Sequence, residues 1–180
     1  FKRFVPVSVP IGVGILAGFL REQGFLSRIL DTDLIDINLS TIETELNHCK
    51  KPRIVGVSVM TANVANGYKI ASLVKSVDKE AIVVFGGIHA TVMPDEVLRN
   101  SNVDFVVKGE AEYTLLELIR QIKSGNIEQD ELANIGFREN GQIVYTKTST
   151  RMLDINDVPM FPYEMFDPSR YNLGFILTSR

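Results

Sequence analysis

Cysteine is nearly absent: Cys49 is the only one in 180 residues. No intrachain disulfide and no cysteine-built metal cage can form, and a lone thiol fits a reducing compartment. Long hydrophobic runs are missing as well. No stretch reaches the roughly 18 consecutive apolar residues a bilayer span requires, so no membrane span is predicted. Nor is there a surplus of positive charge, since 19 Lys plus Arg face 22 Asp plus Glu, a net charge of −3. Without a basic cluster to neutralise phosphates, nucleic acid is excluded as a partner. Lys2 and Arg3 precede an apolar stretch from Val5 to Leu20, much as in a signal peptide. But Pro6 and Pro10 interrupt it, and no small-residue cleavage site follows. The expected location is cytoplasmic.

What is present is apolar material: 45% of the residues are hydrophobic, enough for one large or two small domains with a real core. Pro10 suits a helix N1 position, with Ile11, Ile15, Leu16, Phe19 and Leu20 following and Gly24 as a C′ residue. Phe25–Leu30 reads as a strand ending at Asp31. Ser40-Thr41-Ile42-Glu43 fits a capping box, opening a helix whose apolar face is Ile42, Leu46 and Cys49. Ile54–Val59, Ala81–Phe85 and Val103–Val107 are continuous apolar runs. Helices through Val64–Val77, from Pro94-Asp95-Glu96, and through Leu115–Ile122 alternate with them. Strands this uniformly apolar are buried on both faces. The predicted fold is α/β, a doubly wound, flavodoxin- or Rossmann-like parallel sheet flanked by helices, over residues 1–125.

After Ser124 the pattern changes. Ile135–Arg138 and Gln142–Tyr145 flank Asn140-Gly141, the strongest short hairpin signal, giving a C-terminal β-hairpin extension over 126–150. Residues 151–180, with Val158-Pro159-Met160-Phe161-Pro162, read as a linker arm. Val5–Val9 is spoiled as a first strand by Pro6 and Pro10. Gly174–Arg180 resembles a strand just beginning, so the chain is expected to be a fragment.

Two features invite a ligand. Gly12-Val13-Gly14-Ile15-Leu16-Ala17 fits the G-x-G-x-x-A dinucleotide fingerprint, with Asp31 where a ribose-binding acid belongs. The competing reading places those glycines inside a helix as packing residues. The second feature is a set of strand ends, because ligands of open α/β sheets bind outside the carboxyl ends of the strands. Ser58-Val59-Met60-Thr61-Ala62-Asn63, Gly86-Gly87-Ile88-His89-Ala90-Thr91 and Lys108-Gly109-Glu110-Ala111-Glu112 occupy those ends. Glycines and hydroxyls there let backbone approach a large flat ligand closely. Taken singly, each loop is explained by turns and caps; three on one edge point to a binding site. His48 reads as a surface residue at a helix end. His89 lies on the ligand edge but has no second ligand at metal spacing. Glu110 and Glu112 straddle a helix start, where acids complement the dipole.

These same loops, together with Pro94-Asp95-Glu96 and Asp104–Glu112, resemble the cobalamin-binding N-terminal domain of the cobalamin-dependent radical S-adenosylmethionine enzymes, of methyltransferase or anaerobic oxidative-cyclase type. Pro10–Ala17 is similar to that family's first-helix segment. Val158–Pro162 is like its lead-in to the catalytic domain, and Ile176–Arg180 like the stretch before its cluster loop. The resemblance implies a domain holding cobalamin over the carboxyl edge of the sheet. Ser58 would border the nucleotide tail, although Met60 stands where the family's Ser-x-Leu-like loop has Leu. Gly86 and Gly87 would let the tail lie against backbone, while Met60, Thr61, Ile88, His89, Gly109 and Glu110 line the edge facing the ring. The Asp-x-His-x-x-Gly motif of classical cobalamin proteins is absent, so the implied binding is base-off without a histidine ligand.

The cluster cysteines are absent from these residues. The iron–sulfur cluster and S-adenosylmethionine are therefore implied for a C-terminal catalytic domain, the partner of this one, and the chain itself is expected to be a binding module. Two alternatives stay open: a Rossmann-type nucleotide-binding oxidoreductase resting on Gly12, Gly14, Ala17 and Asp31, and a cofactor-free docking domain of the same family. Tyr163, Phe166 and Tyr171 are expected to be exposed until the missing domain covers them.

Overall fold

The structure, a computed structural model, describes residues 7–150 and 154–172. The strand expected at Gly174–Arg180 lies outside the described residues. In chain order the elements are β1 (Val7–Ser8), α1 (Ile11–Glu22), α2 (Leu39–Asn47), β2 (Ile54–Ser58), α3 (Val64–Val77), β3 (Ile82–Gly86), α4 (Ile88–Val92), α5 (Pro94–Arg99), β4 (Phe105–Val107), α6 (Glu112–Ser124), β5 (Ile135–Glu139), β6 (Gln142–Tyr145) and β7 (Tyr171–Asn172). They fall into two compact units, one built from the described residues up to Asp36 with 154–172, the other running from Ile37 to Thr150.

In the first unit, Val7–Ser8 does form a short strand in the gap before Pro10, pairing in parallel with β7. Pro10 occupies the N-cap of α1 instead of its first turn. The fingerprint glycines lie inside that helix, and a Cβ on Gly14 would sit 2.4 Å from the Phe161 ring, while Gly18 faces Pro162. Of the two fingerprint glycines only Gly14 is a packing residue, since a Cβ on Gly12 would meet nothing within 4 Å, but both stand within the helix, so the strand–loop–helix cradle that a dinucleotide needs is not formed here. Asp31 is likewise spoken for, accepting from the Tyr171 hydroxyl at 3.0 Å. Burial and that carboxylate push the Tyr171 phenol up to about 12.

Two expectations for this unit are corrected. Phe25–Leu30 is not a strand: Gly24 turns the chain with φ +84, Phe25 N–H returns to Leu20 O at 2.9 Å, and Ser27 Oγ donates to Ala17 O at 3.2 Å. The segment bonds back to α1, leaving Leu26 wholly exposed. Phe166, expected to be exposed, is buried because it stacks on Phe161 at 5.1 Å and meets Tyr171 edge-on at 5.3 Å. Tyr163 is exposed as expected.

The second unit is the α/β domain. Its five strands lie in the order β2-β3-β4-β5-β6. β2, β3 and β4 are parallel, and the hairpin adds β5 and β6 antiparallel to β4. The hairpin turns on Asn140 and Gly141 at φ +50 and +79, the type I′ geometry that Asn-Gly favours. Alternation sends Val57, Val83, Phe85 and Val106 to one face, where they merge with Ile42 and Leu46 of α2, Ala71 and Val74 of α3, and Val97 and Leu98 of α5. Each such side chain taken fully out of water contributes about 1.5–3 kcal/mol before entropy is counted.

Helix α2 begins earlier than its sequence suggests. Asn38, not Ser40, is the cap: its Oδ1 accepts from Thr41 N–H at 3.0 Å and from Ser40 Oγ at 2.7 Å. Cys49 lies past the helix end and is exposed. Asn38→Ala is expected to cost about 1 kcal/mol, read as a lower urea midpoint with an unchanged slope. A loss of stability on Ser40→Ala that matched it would return the cap to Ser40.

Candidate functional site

The carboxyl ends of β2, β3 and β4 bring the three sequence motifs to one edge, and short-range bonds weld them together. Val59 N–H donates to Gly86 O at 2.9 Å, and His89 N–H to Val59 O at 3.1 Å, so the second loop crosses directly over the end of β2. That crossing is why Gly87 is glycine: its φ is +89, and a Cβ there would lie 2.7 Å from Val59 O and 3.1 Å from Ser58 Oγ. Gly86 has open space on its side-chain face, with its nearest neighbour at 4.0 Å, and Gly109, at φ +71, has nothing within 4 Å.

Two residues outside the sequence-derived site organise it. Thr91 Oγ1 donates to Gly87 O at 3.0 Å and accepts from Gly109 N–H at 3.0 Å, tying the second loop to the third. Asn63 Oδ1 accepts from Met60 N–H at 2.8 Å and closes the first loop. Both stand in the quoted motifs, but only the fold shows what their side chains reach. The short helix α4 was also missed, since its five residues carry no helical period.

The edge is apolar and open. Met60 is 57% exposed, Ile88 70%, Val92 65% and Met93 48%, while Ser58, Thr61, Gly109 and Glu110 are exposed among them. His89 differs from its neighbours, being 3% exposed. Its Nδ1 lies 3.2 Å from Thr61 Oγ1, and its Nε2 lies 3.5 Å from Glu96 Oε1 without making a hydrogen bond. Tyr68 OH donates to that same Glu96 oxygen at 3.5 Å, and burial together with Glu96 holds the phenol above its usual range. On the far side, the Tyr145 hydroxyl bonds Asp95 while Lys108 Nζ lies 4.6 Å from the Tyr145 ring centre. Burial and Asp95 push that phenol far up.

At the opposite edge a concavity is lined by Lys51, Pro52, Arg53, Asp78 and Glu80. Its charges are matched pairwise, Lys51 with Glu80 at 2.6 Å and Arg53 with Asp78 at 2.9 Å, which marks an ion-paired surface and not a ligand cradle. His48 lies towards that edge, with Nδ1 2.8 Å from Thr44 O. Among the described residues no group of three or more His, Cys, Asp or Glu is arranged to hold a metal ion, and no helix is long and apolar enough to cross a membrane.

An exposed apolar rim over open glycine backbone fits a broad ligand with an apolar face, and a corrinoid matches that description. Comparison with known proteins agrees. The B12 binding domain family model matches residues 3–119, and the chain belongs to that family. It is 27% identical over 186 residues to an uncharacterized methyltransferase of Pyrococcus horikoshii, covering 99% of this chain and 40% of that protein. It is 27% identical over 154 residues to the anaerobic magnesium-protoporphyrin IX monomethyl ester cyclase of Rubrivivax gelatinosus, covering 83% of this chain and 28% of that one. The fold matches the radical S-adenosylmethionine methyltransferase TsrM of Kitasatospora setae, solved with cobalamin and a 4Fe–4S cluster bound, with a TM-score of 0.68 and 23% identity over 88% of this chain and 30% of TsrM. The chain thus spans less than half the length of the relatives it matches.

Proposed function

We propose that this chain holds cobalamin over the carboxyl edge of β2, β3 and β4, as the binding module of a radical S-adenosylmethionine enzyme that transfers methyl groups or closes rings oxidatively. When bound, the corrinoid supplies a carried methyl group or a one-electron acceptor. The chain's own residues bind and orient it. Met60, Ile88 and the neighbouring Val92 and Met93 offer apolar contact to the ring. Ser58 and Thr61 offer hydroxyls, Gly86 and Gly109 backbone without side chains, and Glu110 an acceptor at the rim. The iron–sulfur cluster and S-adenosylmethionine belong in this reading to a catalytic domain beyond the arm at 154–172.

The finer statement is base-off binding with no protein ligand to cobalt, and the burial of His89 is what argues against a histidine ligand. An imidazole 3% exposed, with one nitrogen against Thr61 and the other against Glu96, has no free lone pair to offer a metal outside the protein. In this reading His89 supports the edge from beneath. Titration of the chain with hydroxocobalamin tests it: saturable binding with a base-off absorption spectrum, unchanged in His89→Gln apart from affinity, is the expected result. A base-on or histidine-ligated spectrum would sink the base-off reading. Failure to bind, in this chain and in the full-length enzyme, would leave a cofactor-free docking domain.

A further inference from the structure

We infer that Glu96 is a positioning residue for the ligand edge: acting through the ring of His89, it fixes the Thr61 hydroxyl as a hydrogen-bond acceptor towards the ligand, favouring N–H donors such as the amide groups that fringe a corrinoid. The inference rests on the cobalamin reading for the identity of the ligand, but not for the relay itself.

The relay follows from the proton count of an imidazole in its neutral form, in which one nitrogen donates and the other accepts. Two arrangements exist. In the first, Nε2 carries the proton and points it towards Glu96 Oε1 at 3.5 Å. Nδ1 then offers its lone pair, and the Thr61 hydroxyl at 3.2 Å must donate to it. In the second, Nδ1 carries the proton and donates to Thr61, while the buried Nε2 lone pair faces an oxygen of the partly exposed Glu96 carboxylate. The second sets two electron-rich atoms against each other, so the carboxylate selects the first.

Glu96 is itself held for this task. Tyr68 donates to its Oε1 and stacks on the buried Phe85 with ring centres 5.8 Å apart. The chemical consequence appears at the surface. Thr61 is exposed, and once its proton is committed inward, only lone pairs remain to face the ligand. In the reverse arrangement the same hydroxyl would present a donor. One carboxylate on α5 thus sets the polarity of a contact on the loop after β2.

The protein is well suited to a direct test because it has only two histidines. In His48→Gln the one remaining imidazole is His89, and a long-range proton–nitrogen correlation spectrum at about pH 8, above the ordinary imidazole range, reports which nitrogen is protonated. Nε2–H is expected. Glu96→Leu in the same background is expected to move the proton to Nδ1 and to weaken hydroxocobalamin binding about fivefold, the worth of one hydrogen bond. Glu96→Gln, which keeps an acceptor, is expected to restore both. Glu96→Ala serves as a second acceptor-free variant if the leucine variant does not fold. An Nδ1–H or doubly protonated ring in the parent, or a tautomer indifferent to loss of the carboxylate, overturns the relay. A tautomer that switches without any change in affinity overturns the role at the ligand edge. If neither the parent chain nor the full-length enzyme binds hydroxocobalamin, the cobalamin reading fails, and the tautomer still decides whether the relay exists.

Discussion

Gly87→Ala is expected to lower the stability of the α/β unit by about 2–4 kcal/mol, the sum of a left-handed backbone denied to alanine and an overpacked crossing. The position combines φ +89 with backbone at 2.7 Å and 2.9 Å from the would-be methyl group, and backbone cannot step aside as a flexible side chain can. Gly109→Ala supplies the contrast, because it shares the positive φ, at +71, but has nothing within 4 Å. Strain alone remains there, about 1–2 kcal/mol. Urea unfolding of the two variants separates steric from conformational cost, provided the slope is unchanged. Equal losses would mean that β3's loop does not press on Val59. Binding of hydroxocobalamin should weaken in Gly87→Ala even where the fold survives, since the variant displaces the loop carrying Ile88 and His89.

Much of the scaffold was legible because its signals are local. The runs at Ile54–Val59 and Ala81–Phe85 became β2 and β3, Asn140-Gly141 turned the hairpin, and the apolar stripes of α3 and α6 appeared where their period placed them. The strand ends followed, since a parallel sheet puts its loops on one edge. The misreadings share a cause. Phe25–Leu30 has strand composition, but its backbone bonds back to α1. Ser40 begins a capping box, but Asn38 caps the helix two residues earlier, accepting from Thr41 N–H. His89 stands on the loop assigned to the ligand edge, but that its side chain turns inward beside Thr61 and Glu96 is something no local pattern announces. The dinucleotide fingerprint failed because both its glycines lie within α1, and what Gly14 accommodates is Phe161, far along the chain.

Arg138 is the largest consequence of that kind, and nothing in its sequence neighbourhood marks it. From β5 its guanidinium reaches across to the end of α5 and the turn into β4. Nη1 donates to Leu98 O and, at 3.1 Å, to Asn100 O; Nη2 donates to Ser101 O at 3.3 Å and Val103 O at 2.6 Å. Carbonyls at a helix end have no intrahelical partner, and Leu98 and Val103 are fully buried residues, so water is a poor substitute. Arg138→Met keeps the stem and removes the donors. It is expected to cost about 2–4 kcal/mol, because buried acceptors are left unpaired. Arg138→Lys should recover little of this, since a single ammonium cannot reproduce the planar fork that serves several carbonyls at once. The hairpin would then lose its hold on the segment feeding β4, whose carboxyl end carries Gly109 and Glu110. Faster hydrogen exchange at Asn100–Val103 in Arg138→Met, with β2 and β3 unchanged, is the expected signature. A variant within about 0.5 kcal/mol of the parent, the usual range for an inconsequential surface change, would show that the hairpin packs on the sheet without bracing it.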